Sequence, residues 1–454
     1  MVENWRKSLI GSVFGCFAFV APFAVAQAQT TVTIWHTESN AKTKQAFQEI
    51  IDAYEKANPG VKIVQEAVGW AALNNKLQTA VATGALPDAT QLEVSVGRSF
   101  LYKNLLRPMD ELLDSIGRDS VYPAVRALMV DERDGKTYGV SHAIGVNLLT
   151  YRKDFLKAAN VPEAAPKTFA EWLTMLKKLT VDTNGDGKPD RFGLSISGTG
   201  HNINESLYTF VASNGGRLFD EKGKPTLNEP QVVEALKFFK ELADCCLAPD
   251  WLSRDFLGTM GDLASGKAAM IMGWGRGAGF YEQYAPDAVA RGDFGVFDSK
   301  PIGPSGKAFM TQFDSEAWAV FKAAKNGDEA IKFLKFFHQP ENYIKYVATA
   351  PIHLLPVSTK ILDDQRYKAI PDFQKWMFWV DAQNKVISKD NPKPVLLIRE
   401  TDLQLPFVGE FAGSTILVDM VTDVVRGGMT PEAAAARAQQ RAEQLVTQLG
   451  YKKW

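Results

Sequence analysis

The chain has 454 residues, 46% of them hydrophobic and 23% charged, and its formal net charge is −1 at pH 7. This length exceeds what one compact core accommodates, so we expect two domains. A near-neutral surface offers no electrostatic footprint for nucleic acid or an anionic membrane, and we expect neither as a partner. With three cysteines in so long a chain, the sequence excludes a disulfide scaffold.

The N-terminus has the pattern of a cleavable signal peptide. Two basic residues precede an apolar run at 9–26, which ends in the small residues Ala26 and Ala28. A signal peptidase recognises this order of basic, apolar and small residues. We therefore predict a signal peptide at 1–28 and a mature protein located in the periplasm.

Two other interpretations of this segment have less support. A membrane anchor needs about 20 strongly apolar residues, whereas Gly11, Gly15 and Pro22 interrupt this run. Lipidation at Cys16 is disfavoured because the apolar run continues well past that cysteine. No later apolar stretch has the length needed to span a membrane.

Strands and helices alternate from the start of the mature chain. Alternating apolar residues predict a strand, and apolar residues at i, i+3, i+4 and i+7 predict the helix after it. Such alternation implies a mainly parallel sheet with helices on both faces. The predicted order is strand 31–35, helix 42–57, strand 61–64, helix 70–82 and a strand near 90–94.

The same alternation returns further along the chain. Thr168 and Glu171 form a capping box that opens a helix, and Pro431 opens the last helix. No repeat or low-complexity linker separates two lobes, which indicates that the chain crosses between them more than once. The other predicted elements are helix 230–243, strand 268–272, strand 317–321 and helix 328–337.

Signatures of catalysis are scarce. The sequence contains no G-x-S-x-G, no G-x-x-x-x-G-K-[ST] and no H-E-x-x-H. Its five histidines are scattered without metal-ligand spacing. We therefore predict no catalytic residue, no metal and no cofactor. Cys245 and Cys246 are adjacent and could bridge only with strain, so we interpret them as inert thiols.

One segment is similar to an EF-hand-type calcium loop. Oxygen ligands occupy positions 1, 3, 5 and 9 of a loop that begins at Asp182, and a glycine, Gly187, stands at position 6. Position 12, where a bidentate glutamate belongs, is Gly193. We interpret the segment as an Asx-rich turn, with a structural calcium ion as the alternative.

The carboxyl end of the first predicted strand combines groups that suit a polar solute. Trp35 supplies an aromatic ring, Glu38 a carboxylate and Asn40 an amide. Aromatic faces stack on the apolar face of a sugar ring, while carboxylates and amides hold its hydroxyls. In open α/β sheets ligands bind at this end of the strands. The sequence therefore predicts a cleft for a polar solute.

Taken in chain order, these segments resemble the sugar-binding branch of ABC-transporter solute-binding proteins, the family of maltose-binding-like proteins. The resemblance covers nearly the whole mature chain, and order and spacing carry it more than any one motif. The matching segments are 31–36, Phe47 to Tyr54 with 58–63, 82–88, 139–140, 151–155, 214–220, 266–270 and 330–337.

The resemblance implies a type II periplasmic-binding-protein fold, with two α/β lobes, three hinge crossings and a ligand cleft between the lobes. The crossings are expected near residues 120, 311 and 341. The implied division is an N-lobe from 29–120 and 312–341 and a C-lobe from 121–311 and 342–454. The implied mechanism is hinge closure on the solute, followed by delivery to membrane permease subunits. We expect a monomer.

The resemblance also implies where a ligand would be held. Two departures from the family pattern bear on its charge: residues 273–276 read Gly-Trp-Gly-Arg where the family usually shows Gly-Ser-Trp, and residues 312–315 replace a frequent Gly-Gly turn. An arginine in the cleft could pair with an acidic group of the ligand. The candidate ligand-binding residues are Trp35, His36, Glu38, Ser39, Asn40, Glu93, Ser95, His201, Asn202, Asn204, Trp274, Arg276, Phe313 and Asp314.

Three alternatives to a sugar receptor remain. One is a receptor for an anionic or charged solute, such as a sugar acid, a sulfonated or phosphorylated sugar, or a polyamine. An iron-binding relative is disfavoured because Tyr281 and Tyr284 are not adjacent. The third is an exported glycosidase, which needs two carboxylates about 5 to 9 Å apart, and Glu38 with Glu93 is the pair we nominate.

Overall fold

The computed structural model describes residues 29–38, 40–199, 201–307, 313–350, 352–387, 405–452 and 454. The signal peptide predicted at 1–28 lies outside these residues. The strands are β1 (Thr30–His36), β2 (Val61–Ala67), β3 (Ala89–Glu93), β4 (Val140–Val146), β5 (Leu148–Arg152), β6 (Phe192–Ser195), β7 (Ala268–Gly273), β8 (Phe294–Phe297) and β9 (Phe313–Ala319).

The strands are connected by helices of very different lengths. Short 3-10 helices lie at Arg118–Ser120, Ala127–Met129 and Trp251–Ser253. The α-helices are α1 (Ala41–Ala57), α2 (Trp70–Thr83), α3 (Val94–Tyr102), α4 (Asp110–Ile116), α5 (Pro123–Arg126), α6 (Lys153–Ala158), α7 (Phe169–Leu179), α8 (His201–Ser213), α9 (Pro230–Cys245), α10 (Phe256–Ser265), α11 (Gly277–Tyr284), α12 (Pro286–Ala290), α13 (Gly327–Phe337), α14 (Pro340–Val347), α15 (Thr359–Leu362), α16 (Gln365–Lys368), α17 (Pro371–Lys375), α18 (Met377–Ile387), α19 (Val408–Ala412), α20 (Ile416–Val425) and α21 (Pro431–Gln448).

The strands form two sheets. The first has the order β2-β1-β3-β9-β4 and the second the order β6-β7-β5-β8. Pairs β1–β2, β1–β3 and β6–β7 are parallel, whereas β9 runs antiparallel to β3 and β4, and β5 runs antiparallel to β7 and β8. The prediction of a mainly parallel sheet holds for strand direction in four of the five strands of the first sheet and three of the four strands of the second, but it missed β9 and β5, which run antiparallel to their neighbours. β5 and β9 each follow a strand of the other sheet, so no crossover helix of their own sheet sets their direction.

The chain passes directly between the sheets. β4 of the first sheet and β5 of the second are separated by Asn147 alone, and the chain returns to the first sheet between Phe297 and Phe313. Strand membership does not by itself define a hinge. The crossings near 120, 311 and 341, and the lobe boundaries drawn from them, stay predictions.

The sheets and helices enclose two aromatic-rich cores, and the larger one contains side chains from both sheets. In α1 the apolar stripe that the sequence predicts is buried, and Phe47 stacks on Trp318 of β9 with ring centroids 5.9 Å apart. In the second core Phe169 of α7 stacks on Phe238 of α9 at 4.0 Å. Such pairs contribute about 0.5–1.5 kcal/mol beyond the area they bury. They hold helices against the sheets whose loops form the site.

Most predicted elements agree with the structure to within a few residues. The capping box of α7 is present: Thr168 Oγ1 accepts the Glu171 N–H at 3.1 Å, and Glu171 Oε2 accepts the Lys167 N–H at 2.8 Å. The strand predicted at 317–321 begins earlier, at Phe313, and ends at Ala319. The polar residues at its start concealed that extension.

The interpretation of Cys245 and Cys246 as free thiols is wrong. The structure joins them in a disulfide between adjacent residues. Cys245 is the last residue of α9, and at Cys246 the backbone leaves the helix with φ −136° and ψ −7°. That turn brings together two side chains that a continuing helix would separate.

Candidate ligand-binding cleft

A cavity of about 660 Å³ lies between loops of the two sheets. One wall follows β1 of the first sheet and contains Glu38 and Asn40, and the other follows β7 of the second sheet and contains Arg276. Ala350, Ile352 and His353, from the segment after α14, also line the cavity, and we call the part beside His353 its inner end. The volume falls within the 300–1,000 Å³ typical of small-molecule sites.

The loop after β1 is held in place by its own polar groups. His36 Nε2 donates to Gln65 Oε1 at 2.9 Å, and His36 Nδ1 accepts the Glu38 N–H at 3.2 Å. Burial lowers the pKa of His36 to about 4, so the ring is neutral at pH 7. Asn40 caps α1 by accepting the Lys42 N–H at 2.9 Å. His36 and Asn40 thus shape the loop that presents Glu38.

Glu38 belongs to a buried network of polar side chains. Its Oε1 accepts the Tyr346 hydroxyl at 2.8 Å, and the residue is 4% exposed. Beside it, Gln91 Oε1 accepts the Thr37 N–H and hydroxyl at 2.8 and 2.9 Å, and Gln91 Nε2 donates to His142 Nε2 at 2.9 Å. These contacts fix the Gln91 amide and make Nε2 of His142 an acceptor.

A second carboxylate, that of Glu316, lies behind Glu38. Between Ser141 and Ala143 the register of β4 against β9 shifts, so His142 is the extra residue of a β-bulge beside Glu316. Atoms of Glu38, His142 and Glu316 all lie within 4.8 Å of one another. Glu316 Oε2 is buried, is 3.5 Å from His142 Nε2 and receives no hydrogen bond from the described protein atoms.

The two carboxylates do not titrate alike. Burial and the neighbouring charge of Glu316 raise the pKa of Glu38. Burial also opposes ionisation of Glu316, but the groups around it, among them the charged Arg276, outweigh burial and lower its pKa. Two close carboxylates resist double ionisation, so a proton bound to the pair is held on Glu38.

The wall after β7 meets the inner end of the cleft through a glycine. A Cβ on Gly275 would lie 2.6 Å from the Ile352 carbonyl carbon, so the two backbones touch at a distance that no other residue allows. The next residue, Arg276, donates from Nη2 to His353 Nε2 at 2.6 Å. Burial and Arg276 lower the pKa of His353 to about 3, which keeps it an acceptor.

Trp274 faces a separate, smaller crevice. It lines this space together with Asn147 and Asn202, and the crevice holds about 20 Å³, room for roughly one water. A Cβ on Gly145 of β4 would lie 3.1 Å from the Trp274 ring, so the indole packs against the first sheet. Asn204 is buried nearby, and its Oδ1 has no hydrogen-bond partner among the described atoms.

The remaining predicted residues lie elsewhere. Trp35 is 7% exposed in the core, lies outside the cavity lining and has Lys76 Nζ 3.9 Å from its ring centroid. Glu93 is the cross-strand partner of Glu316 and also lies outside the lining. Ser39 is outside the described residues. The backbone places the others in α3, in α8 and at the start of β9, but their side chains are not described: Ser95, His201, Phe313 and Asp314.

Sequence reasoning missed most of the network around Glu38. The residues it overlooked are far apart in the chain, but β3, β4, β9 and α14 bring them together. A usable signal was present, since Gln91 and His142 lie within strands that are buried along most of their length, and buried polar residues need partners. The overlooked residues are Gln91, His142, Glu316, Tyr346 and His353.

The Asp182 loop is an Asx-rich turn in the structure. Asp182 Oδ1 accepts the Gly185 N–H at 2.6 Å and Oδ2 accepts the Gly187 N–H at 2.7 Å. Both glycines have positive φ, +79° and +85°. These hydrogen bonds lower the pKa of Asp182 and hold the turn through the backbone.

Comparisons with known proteins agree with this architecture. Residues 49–375 match the family model of bacterial extracellular solute-binding proteins. The chain belongs to this family. The two-lobe fold expected from the resemblance is confirmed by solved structures that superpose on more than nine-tenths of the chain.

Among its relatives, the maltotriose-binding protein of Pyrococcus abyssi is 27% identical over 75% of this chain and 69% of its own length. The GacH receptor of Streptomyces glaucescens, solved unliganded and with acarbose, has a TM-score of 0.74, 23% identity, and coverage of 92% of this chain and 99% of its own. An ABC-transporter solute-binding protein of Agrobacterium radiobacter K84 in complex with ribitol has a TM-score of 0.76, 20% identity and the same coverage. Within the described residues, none of the helices combines the length and apolarity needed to cross a membrane.

Proposed function

We propose that the chain is the periplasmic substrate-binding component of an ABC importer for a sugar or sugar-derived solute. In this proposal the solute enters the open cleft, the lobes close on it, and the closed form delivers it to membrane permease subunits. A cleavable leader exports the chain, which acts as a monomer and carries out no chemistry on the solute.

The observation that carries the proposal is the cleft itself. It lies between loops of two sheets that the chain crosses directly, and its inner end is lined by polar groups. Such groups discriminate strongly, because a ligand that leaves a buried donor or acceptor without a partner forfeits about 1–3 kcal/mol for each. Relatives that bind maltotriose, acarbose and ribitol support a polyhydroxylated solute.

The alternative of an anionic solute has less support. It rests on Arg276, yet this guanidinium donates to His353 and lies in the field of Glu38 and Glu316. Its charge is therefore offset by resident carboxylates. The exported glycosidase also has less support, because Glu93 lies outside the cavity lining.

A thermal-shift panel tests the proposal. The mature protein is melted with neutral mono- and oligosaccharides, sugar alcohols, amino sugars, sugar acids and polyamines. A cognate ligand at 100 times its Kd contributes about 2.7 kcal/mol to stability, which a melting curve resolves. Glu38→Ala is expected to abolish the ligand shift, whereas the surface variant Glu49→Ala is expected to keep it.

Two results would contradict the proposal. Indifference to every carbohydrate and carbohydrate derivative would remove the sugar assignment. Release of product from a chromogenic glycoside would show that the chain is more than a receptor.

A further inference from the structure

The inner end of the cleft gathers more negative than positive charge. Glu38, which lines the cavity, and Glu316 behind it have carboxylate oxygens within 4.8 Å of each other. Among the described cations, Arg276 is the one whose charge acts on both clustered carboxylates. Arg276 can offset one of the two carboxylates, and a second buried carboxylate without a counter-charge is costly, so this end of the cleft favours a further positive charge.

Among the described atoms, the hydrogen bonds around the two carboxylates leave an acceptor without a donor. Tyr346 supplies one donor to Glu38 Oε1. Glu316 Oε2 is buried and receives no hydrogen bond from the described protein atoms, with His142 Nε2 3.5 Å away. A group suited to this place must therefore donate hydrogen bonds, and a charged donor is held most strongly.

A metal ion fits these residues poorly. Coordination through His142 would need the Nε2 lone pair, which accepts from Gln91 Nε2 at 2.9 Å. Gln91 cannot turn away without cost, because its Oε1 accepts both the N–H and the hydroxyl of Thr37. An ammonium group needs only the carboxylate oxygens and leaves these hydrogen bonds intact.

We propose that the solute carries a protonated amino group that binds against Glu38, with Glu316 behind it, so that the substrate class is amino sugars. This inference rests on the proposed function and narrows it. A neutral sugar can also donate hydrogen bonds from its hydroxyl groups to Glu38, but it lacks the attraction between opposite charges that an ammonium group adds. A hydrogen bond between charged partners contributes about 1.5–3 kcal/mol against about 0.5–1.5 for neutral ones.

Isothermal titration calorimetry with matched ligand pairs tests this inference. The pairs are D-glucosamine with D-glucose, D-galactosamine with D-galactose, and the chitosan disaccharide with cellobiose, titrated into the full mature chain at pH 6.5. We expect the amino member of the cognate pair to bind about 10-fold or more tightly than its hydroxyl partner.

The variants Glu316→Gln and Glu38→Gln are titrated in parallel, with circular dichroism to confirm folding. Each is expected to lower that preference to about threefold or less, since each removes one of the two carboxylate charges. Glu49→Gln removes an exposed carboxylate of α1 and controls for net charge, so the preference should persist there.

The outcomes separate the two proposals. Equal binding of both members of a pair, or a preference that persists in both cleft variants, overturns the amino-sugar inference and leaves the sugar receptor standing. Binding of no sugar of either kind overturns the receptor proposal itself. A larger stabilisation by zinc or calcium chloride than by any amino sugar would assign the cluster to a metal and overturn the inference.

Discussion

Replacing Gly275 with alanine tests whether the two walls of the cleft meet through backbone contact. The added Cβ would lie 2.6 Å from the Ile352 carbonyl carbon, whereas carbon atoms in contact sit at about 3.5–4.0 Å. The loop after β7 must therefore retreat by about 1 Å from Ile352. Backbone shifts forced by one added methyl group typically cost about 1–3 kcal/mol.

The same retreat separates the groups on either side of the contact. Arg276 adjoins Gly275 and His353 adjoins Ile352, so their 2.6 Å hydrogen bond lengthens as the backbones part. We expect Gly275→Ala to lower the unfolding free energy by about 2 kcal/mol and to weaken binding of the ligand found in the thermal-shift panel. Urea unfolding followed by tryptophan fluorescence measures the first effect, and calorimetry measures the second.

Gly279 provides a matched control in the same segment. It lies in α11, and a Cβ there would meet nothing within 4 Å. Because alanine favours a helix interior over glycine by about 1 kcal/mol, Gly279→Ala should be neutral or stabilising. If Gly275→Ala were as stable as Gly279→Ala, the close contact between Gly275 and Ile352 would be wrong.

Three further predictions follow from the buried charges and the Asp182 loop. Burial and the charge of Glu316 raise the pKa of Glu38, so its ionisation costs stability as pH rises above the ordinary value of 4.5. Glu38→Gln should therefore melt at a higher temperature than the parent at pH 7 and show no gain at pH 4; a lower melting temperature at pH 7 would contradict this. Burial lowers the pKa of His338 from 6.5 to about 3, so below pH 6.5 the unfolded chain takes up a proton at this residue that the folded chain does not. Between pH 7 and pH 5 the free energy of unfolding, measured by urea titration, should therefore fall by up to about 2 kcal/mol less in His338→Gln than in the parent. An equal fall in both proteins would show that His338 is not buried as a neutral ring. Since backbone N–H groups already occupy the Asp182 carboxylate, adding calcium or EDTA should leave the melting point unchanged, and a rise of several degrees with calcium would restore the ion-binding interpretation.

Elements with strong local signals were predictable from the sequence. α1, α7 and α13 have apolar stripes at helical spacing, and Thr168 with Glu171 predicts the N-terminal cap of α7. These features depend on residues within one or two turns of each other, so tertiary context changes their boundaries little. The family pattern extended that local reading to the two-lobe fold.

The sequence by itself therefore determined the order of the strongly patterned elements, the near-neutral formal charge and the family resemblance, and it made the segment around Glu38 a candidate for the cleft. Only the tertiary structure decided which polar groups surround that carboxylate. Glu38, His142 and Glu316 come from β-strands and a loop far apart in the chain, and a β-bulge in β4 places His142 beside Glu316. It also decided that Trp35 packs inside the core while Gly275 touches Ile352 across the cleft. These contacts between residues that are distant in the chain depend on how the two sheets pack, and the local periodicity of the sequence does not predict that packing.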